Sequence, residues 1–142
     1  MRTAHCGVLS VALLAACGGP TAGGNPGGPG DPGDVASVRL FDAAGTELTF
    51  HMPLNTGETT RVEVRMYAAN GRQIVNVAGG EELDFTFSPP TLASSTPLAG
   101  EPLVREVTPT APPATSGTLE VALHFPVDLS TKTFGPFDVL VH

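Results

Sequence analysis

The chain has 142 residues, which is enough for one modest domain. Seven Lys and Arg side chains against fourteen Asp and Glu give a formal net charge of -7, which disfavours binding to nucleic acid or to anionic lipid headgroups. Its 17 Gly and 14 Pro residues are unevenly placed, so composition alone separates an N-terminal part from the rest.

Residues 1–16 have the pattern of a secretory signal peptide. Arg2 supplies the positive charge, and the run from Val8 to Ala16 is apolar except for Ser10. This run is shorter than the roughly 20 apolar residues that a membrane-spanning helix needs. The alternative is a buried helix of the mature fold, but the glycine- and proline-rich run that follows leaves such a helix nothing to continue into.

A cysteine follows the apolar run directly. Leu14, Ala15, Ala16 and Cys17 resemble the lipobox of bacterial lipoproteins, in which the cysteine is acylated and becomes the new N-terminus. The resemblance implies lipidation of Cys17, with palmitate-type chains, and a place in the cell envelope at the outer membrane or periplasmic face. Cleavage there would also discard Cys6, leaving a lone cysteine better explained as an attachment site than as a disulfide. One acyl chain binds a membrane only marginally, because each buried methylene contributes about 0.8 kcal/mol, so a lasting anchor needs several.

Residues 17–34 therefore comprise the lipidated cysteine and a linker. From Gly18 to Asp34, eight of the 17 residues are Gly and four are Pro. Such a segment cannot bury enough apolar surface to offset its ordering entropy. As a flexible coil it would have a root-mean-square span of roughly 20 to 25 Å, which would hold a folded domain off the membrane surface.

The remaining segment, residues 35–142, shows the period-two alternation of half-buried strands. Strands are predicted at 35–41, 47–52, 61–66, 72–77, 82–87, 103–108, 118–125 and 137–142. Asn70 and Gly71 form a strong two-residue turn signal, because both tolerate positive φ. Six prolines mark two long connections, namely Pro89, Pro90, Pro97, Pro109, Pro112 and Pro113. The sequence predicts an all-β fold, an antiparallel immunoglobulin-like sandwich of about seven or eight strands.

Three short motifs in this segment carry a second resemblance. They are the turn Gly57, Glu58, Thr59, the hairpin Asn70, Gly71, and the strand end Phe87, Ser88, Pro90, Leu92, Ala93. In this order they resemble the bacterial immunoglobulin-like group 2 domain, although the chain has Phe where Trp is frequent and a Pro-rich insertion between Ser95 and Ser116. The resemblance implies a surface or periplasmic adhesive or spacer module without catalytic residues.

The common enzyme motifs are missing from the sequence. It contains no G-x-S-x-G elbow, no H-E-x-x-H, no P-loop and no dinucleotide fingerprint. We therefore expect a protein that is not an enzyme and that needs no cofactor.

Histidines raise the question of a metal site, since imidazole is a common ligand. If residues 118–125 pair with 135–142, residue 124 lies near 136 and His142 lies roughly 20 Å from His124. One ion cannot bind both, and only His51 could restore a site by approaching one of them. The expectation is that each histidine lies on the polar face of a strand and that no metal binds.

Two further groups of residues are candidates for a binding surface. Glu81, Glu82 and Asp84 could ligate calcium, although such clusters usually form a solvated turn. Phe134 could be exposed as an anchor for a partner, or it could close the end of the core.

Two functional classes remain open. The first is a lipid-anchored, non-enzymatic module with a structural role or with adhesion to a protein or glycan at the cell surface. The second is a periplasmic lipoprotein that binds a small ligand or metal ion in the loops around His51, around Glu81 to Asp84, or in the Pro-rich insertion.

Overall fold

The computed structural model describes residues 34–75, 80–126 and 128–142. The signal peptide, Cys17 and the linker up to residue 33 lie outside the described residues. Within them the chain forms nine strands and no α-helix, which confirms the predicted all-β class. The strands are β1 (Ser37–Phe41), β2 (Met52–Leu54), β3 (Thr60–Tyr67), β4 (Gln73–Ile74), β5 (Glu82–Ser88), β6 (Ala93–Leu98), β7 (Glu101–Pro109), β8 (Ser116–Phe125) and β9 (Ser130–Val141).

The strands form two sheets. The first sheet has the order β1-β3-β7-β6, with β4 also paired to β3, and the second sheet has the order β2-β9-β8-β5. In the letters used for immunoglobulin sandwiches, these orders correspond to A-B-E-D and to C-F-G with β2 added at the edge. The connections β3–β4, β6–β7 and β8–β9 stay within one sheet, and each of the other five connections between consecutive strands crosses to the other sheet.

One strand pair departs from the predicted antiparallel arrangement. β2 runs parallel to β9, with Met52 opposite Val139 and Leu54 opposite Val141. The predicted strand at 47–52 is also wrong, because that segment makes only a single bridge to β1, between Glu47 and Phe41, and β2 begins at Met52. The Asp42 carboxylate accepts hydrogen bonds from the backbone N–H groups of Ala44 and Thr46 at 2.9 and 2.7 Å.

Two strands differ from the prediction because of proline. β6 was expected to be part of a long connection, yet it pairs with β7 and contains Pro97. It lies at the edge of its sheet, where a missing backbone donor leaves no ladder bond unmade. β9 begins at Ser130, seven residues before the predicted start, and continues through Gly135 and Pro136 by means of an irregularity in its pairing with β8.

The core lies between the two sheets. It takes alternate residues from β3, where Val62, Val64 and Met66 are buried. The opposing sheet contributes Leu119, Val121 and Leu123 of β8, all fully buried. This alternation is the pattern that predicted the strands, and each fully buried aliphatic side chain stabilises the fold by about 1.5 to 3 kcal/mol.

The β3–β4 turn has one residue more than predicted. Gly71 N–H donates to the Ala68 carbonyl and Ala68 N–H donates to the Arg72 carbonyl, both at 2.9 Å, so the loop consists of Ala69, Asn70 and Gly71. Gly71 has a φ of 79°, the left-handed position of a three-residue hairpin. Asn70 is not among the residues with positive φ. Instead its Oδ1 accepts a hydrogen bond from Arg72 N–H at 3.0 Å.

Candidate functional site

Most of the acidic side chains that lie on strands are on the outer face of the second sheet. On β5, β8 and β9 the residues that alternate with the core point outward, and four of them are carboxylates: Glu82, Asp84, Glu120 and Asp138. We call these four residues the acidic face. Threonines fill much of the space between them, since Thr86 pairs with Glu120 and Thr118 pairs with Asp138.

A hydrogen-bonded cluster lies at one end of this face. His124 Nδ1 is 2.8 Å from Thr131 Oγ1, and His124 Nε2 is 3.1 Å from Asp84 Oδ2. Arg105 reaches over from β7 and donates to Asp84 Oδ1 at 3.2 Å. We call Asp84, Arg105, His124 and Thr131 the Asp84 cluster. Because Arg105 belongs to the first sheet and Asp84 to the second, the cluster joins the two sheets.

The hydrogen bonds of the Asp84 cluster define the tautomer of its histidine. A carboxylate can only accept, so Nε2 carries the proton toward Asp84, and in the neutral ring Nδ1 accepts from the Thr131 hydroxyl. Hydroxyl, imidazole and carboxylate occur in the same order in nucleophilic hydrolases. Acyl transfer also needs preorganised donors for the oxyanion, whereas Thr131 and His124 are neighbours on an open sheet surface. The arrangement therefore fits a cross-strand hydrogen-bond network better than a hydrolytic centre.

An open groove of about 440 Å³ adjoins the cluster. It runs between the start of β5 and the β8–β9 hairpin, where Glu82, Leu129 and Ser130 contribute to its rim. Leu129 is 89% exposed and has a φ of 57°, so an apolar side chain projects from the hairpin beside the acidic groups.

Glu81 does not belong to this surface. The residue is only 8% exposed, and its buried Oε1 atom has no hydrogen-bond partner among the residues that the structure describes. The adjacent Glu82 points outward and lies opposite His124. The predicted trio therefore divides, with Glu82 and Asp84 on the acidic face and Glu81 inside.

Phe134 does not project into solvent as an anchor for a partner. It is half-buried and packs against the core opposite Val121, and Phe137 is buried further along the same strand. Of the two arrangements considered for these rings, the structure has the one in which they close the core.

His51 lies at the opposite end of the sheet from the Asp84 cluster. Thr131 is the residue of β9 that belongs to the cluster, and Asp138 lines the same groove as His51. These two residues of β9 are seven positions apart, which corresponds to roughly 23 Å. The predicted binding residues therefore do not form one surface. The predicted hairpin register is also wrong, since His124 pairs with Thr131.

His51 instead lies beside His142. The centroids of the two rings are 6.4 Å apart, with an interplanar angle of 80°. The sequence suggested that only His51 could approach another histidine, but it did not identify His142 as the neighbour, because that contact depends on the parallel pairing of β2 with β9.

A groove in the first sheet was not predicted. The pairing of β3 with β7 ends at Glu63, and its pairing with β4 begins at Met66, so Val64 and Arg65 have no described strand partner on that side. A groove of about 360 Å³ opens there, with Ile74 and Leu103 among its apolar walls. No sequence signal marks it, since it arises where β4 ends after two residues.

Charged and aromatic side chains alternate on the outer face of the first sheet. Arg65 donates to both oxygens of Glu63, at 2.8 and 3.1 Å, and its guanidinium lies 4.0 Å from the centroid of the Phe41 ring. These hydrogen bonds hold the pKa of the Glu63 carboxyl below its ordinary value, against a smaller opposing effect of desolvation. Arg65 is thus already paired with a carboxylate and an aromatic ring of this chain.

Residues 34–75, 80–126 and 128–142 contain neither a cluster of three or more metal-ligating side chains nor a membrane-spanning helix. No group of three or more His, Cys, Asp or Glu side chains is arranged to hold a metal ion. No helix in this part of the chain is long and apolar enough to cross a membrane.

No protein-family model and no curated protein sequence matches this chain.

Proposed function

We propose that this protein is a lipid-anchored, non-enzymatic immunoglobulin-like module of the bacterial cell envelope, with a structural or adhesive role. The observation that carries the proposal is the order of segments: an apolar export signal, Cys17, a glycine- and proline-rich linker, and then a two-sheet sandwich whose first strand begins at Ser37. The likeness of Leu14 to Cys17 to a lipobox supports the anchor. The likeness to the group 2 immunoglobulin-like domain, together with the strand order of the sandwich, supports the adhesive or spacer role.

The non-enzymatic part of the proposal is supported by the openness of the polar clusters. The Asp84 cluster lies on a sheet surface, with Asp84 itself largely exposed. A catalytic site usually requires a pocket that excludes water and directs dipoles at the reacting atoms. A flat surface of this kind suits binding better than chemistry.

The acidic face is the surface that we propose for a partner. Its four carboxylates extend across β5, β8 and β9, and among the described residues only Asp84 of the four is paired with an arginine. Electrostatic complementarity favours a partner that presents basic groups, and it acts mainly on the association rate and on specificity. A basic patch on another envelope protein meets this description, and a glycan bearing amino groups is the other candidate.

The anchor is tested by replacing Cys17→Ser in the full-length protein in bacterial cells. The wild-type protein should partition into detergent, and its mass should show the loss of residues 1–16 and the gain of acyl chains. The variant should lose the acyl chains and appear either as a soluble exported form or as an uncleaved precursor. An unmodified Cys17 thiol in mature, membrane-extracted wild-type protein would refute the lipoprotein assignment.

The partner surface is tested by crosslinking in intact cells. Glu120→Lys and Asp138→Lys should each reduce the yield of a specific crosslinked product, because they reverse charges on the acidic face. Glu106→Lys is the matched control, since Glu106 is an exposed carboxylate on β7 of the other sheet. Equal yields from all three variants would contradict the assignment of this face.

A ligand-binding role remains the second candidate, favoured by the groove beside Glu82 and Asp84. A ligand that binds only the native state must stabilise it. If this role is correct, one of a panel of metabolites should raise the melting temperature, and Asp84→Asn should abolish the increase.

A further inference from the structure

The contact between His51 and His142 is not explained by packing. Both residues are exposed, and they flank strands that are far apart in sequence, since His51 precedes β2 and His142 follows β9. Their ring centroids are 6.4 Å apart in an edge-on arrangement. No hydrogen bond to either imidazole is observed within the described ranges, so their ring nitrogens are available to a ligand.

The backbone at both positions is held firmly. His142 N–H donates to the Leu54 carbonyl at 2.7 Å, and the His142 carbonyl accepts from the backbone and hydroxyl of Thr56 at 2.9 and 2.8 Å. His51 precedes Met52, which is fully buried and paired with Val139. The two α-carbons are therefore fixed relative to one another, while the side chains can still rotate.

The ring separation is close to what a shared ion requires. A zinc–imidazole bond is about 2.0–2.1 Å, so an ion in the ring plane lies about 3.2 Å from the ring centroid. At a tetrahedral angle the two centroids would then be about 5.2 Å apart, and in a linear arrangement about 6.4 Å. A rotation of the exposed side chains that closes the gap by about 1 Å thus gives a tetrahedral geometry.

We propose that His51 and His142 together bind a divalent transition-metal ion through one imidazole nitrogen each, with water in the remaining positions. Imidazole suits copper, nickel and zinc, whereas calcium and magnesium prefer oxygen ligands. Asp138 lines the same groove as His51 and adds negative charge beside the pair. The affinity should follow the general order for such sites, with Cu²⁺ bound more tightly than Zn²⁺.

This site is separate from the stability of the sandwich. The core residues around it, such as Met52 and Val141, are fully buried without any contribution from an ion. Two exposed ligands also differ from a structural zinc centre, which has four protein ligands and supplies folding energy. The proposal is thus independent of the lipid anchor, and it shares one residue, Asp138, with the acidic face.

The test is a calorimetric titration of the full-length protein with Cu²⁺ and Zn²⁺. All variants should carry Cys6→Ser and Cys17→Ser, because thiolates are strong ligands for the same ions. We expect one Cu²⁺ bound per chain, with electron paramagnetic resonance showing coupling to two nitrogens. His51→Ala and His142→Ala should each weaken binding by at least about tenfold, with unchanged circular dichroism.

His5→Ala and His124→Ala are the matched controls. His5 lies in the signal segment, and His124 is bonded to Asp84 and Thr131 at the far end of β9. Both controls should bind Cu²⁺ as the parent does. The proposal is overturned if the parent binds no more Cu²⁺ than the His51→Ala, His142→Ala double variant, or if either control loses as much affinity as His51→Ala.

Discussion

Gly117 is the position where the sandwich leaves least room for a side chain. It lies on β8, next to the end of β5, and its φ is not in the left-handed region. A Cβ at this position would overlap the carbonyl oxygen of Ser88 and lie 2.7 Å from Leu92 Cδ2. Gly117→Ala therefore tests packing alone, without the backbone strain that accompanies most substitutions of glycine.

The expected cost of Gly117→Ala follows from the two overlaps. Leu92 is fully buried and has little freedom to move, and Ser88 is held by its pairing with Thr118. Overpacking of this kind costs about 1–3 kcal/mol, which for a domain of this size lowers the melting temperature by about 4–8 °C per kcal/mol.

Urea and thermal unfolding of the wild-type and variant proteins measure the effect directly. Leu92→Ala removes one of the two overlaps, so the double variant should be more stable than the sum of the single costs predicts. A Gly117→Ala protein within about 0.5 kcal/mol of wild type would show that β5 and β8 do not approach as closely as described.

Three further substitutions test separate features of the fold. Gly71→Val should lower the free energy of unfolding by at least about 1 kcal/mol, because a β-branched residue is strained at a φ of 79° although nothing lies within 4 Å of its Cβ. Gly71→Asn should be tolerated in the same unfolding assay. Equal stability of the wild-type protein and both variants would contradict the turn. Because the pKa of Glu63 is lowered, its contact with Arg65 stabilises the fold above the ordinary carboxyl pKa of 4.5, and this stabilisation is lost as pH falls through and below that value. Glu63→Gln should therefore flatten the dependence of the free energy of unfolding on pH in this range. An unchanged pH dependence would argue against the contact. Glu81→Met should raise the free energy of unfolding by about 1 kcal/mol, because it replaces a buried carboxyl group that has an oxygen without a partner among the described residues with an apolar side chain of similar length. The exposed Glu82→Met should not stabilise the protein, and a loss of stability in Glu81→Met would show that the carboxyl group has a partner.

The strands that could be predicted from the sequence are those with one solvent-exposed face and one buried face. β3, β5 and β8 were predicted to within two residues at each end, because burial alternates along each of them. β6 and the first half of β9 were missed for a different reason. Pro97 and Pro136 indicate a break in a central strand, but an edge strand and an irregular pairing accommodate them.

The candidate sites depended on pairing, which a local pattern does not contain. Glu82 and Asp84 could be placed together because they alternate on one strand. The partners of Asp84 could not be identified, since Arg105 lies on β7 of the other sheet and His124 on a neighbouring strand. The side chain of Glu81 lies inside because residue 81 alternates with the outward-pointing Glu82 and so points to the same side as the buried Leu83.

The length of β9 also determines how the two ends of the second sheet relate to each other. Thr131 lies near the start of β9, and His142 directly follows its last residue. The eleven positions between them correspond to roughly 36 Å. Changes more than about 7–10 Å apart usually add in their effects on stability. The Asp84 cluster and the histidine pair can therefore be altered independently, because the strand that carries residues of both is held rigid between them by the β8 ladder. A partner at the Asp84 end of the acidic face and an ion at His51 and His142 would then be bound without competing, whereas a partner that covers Asp138 would lie beside the ion.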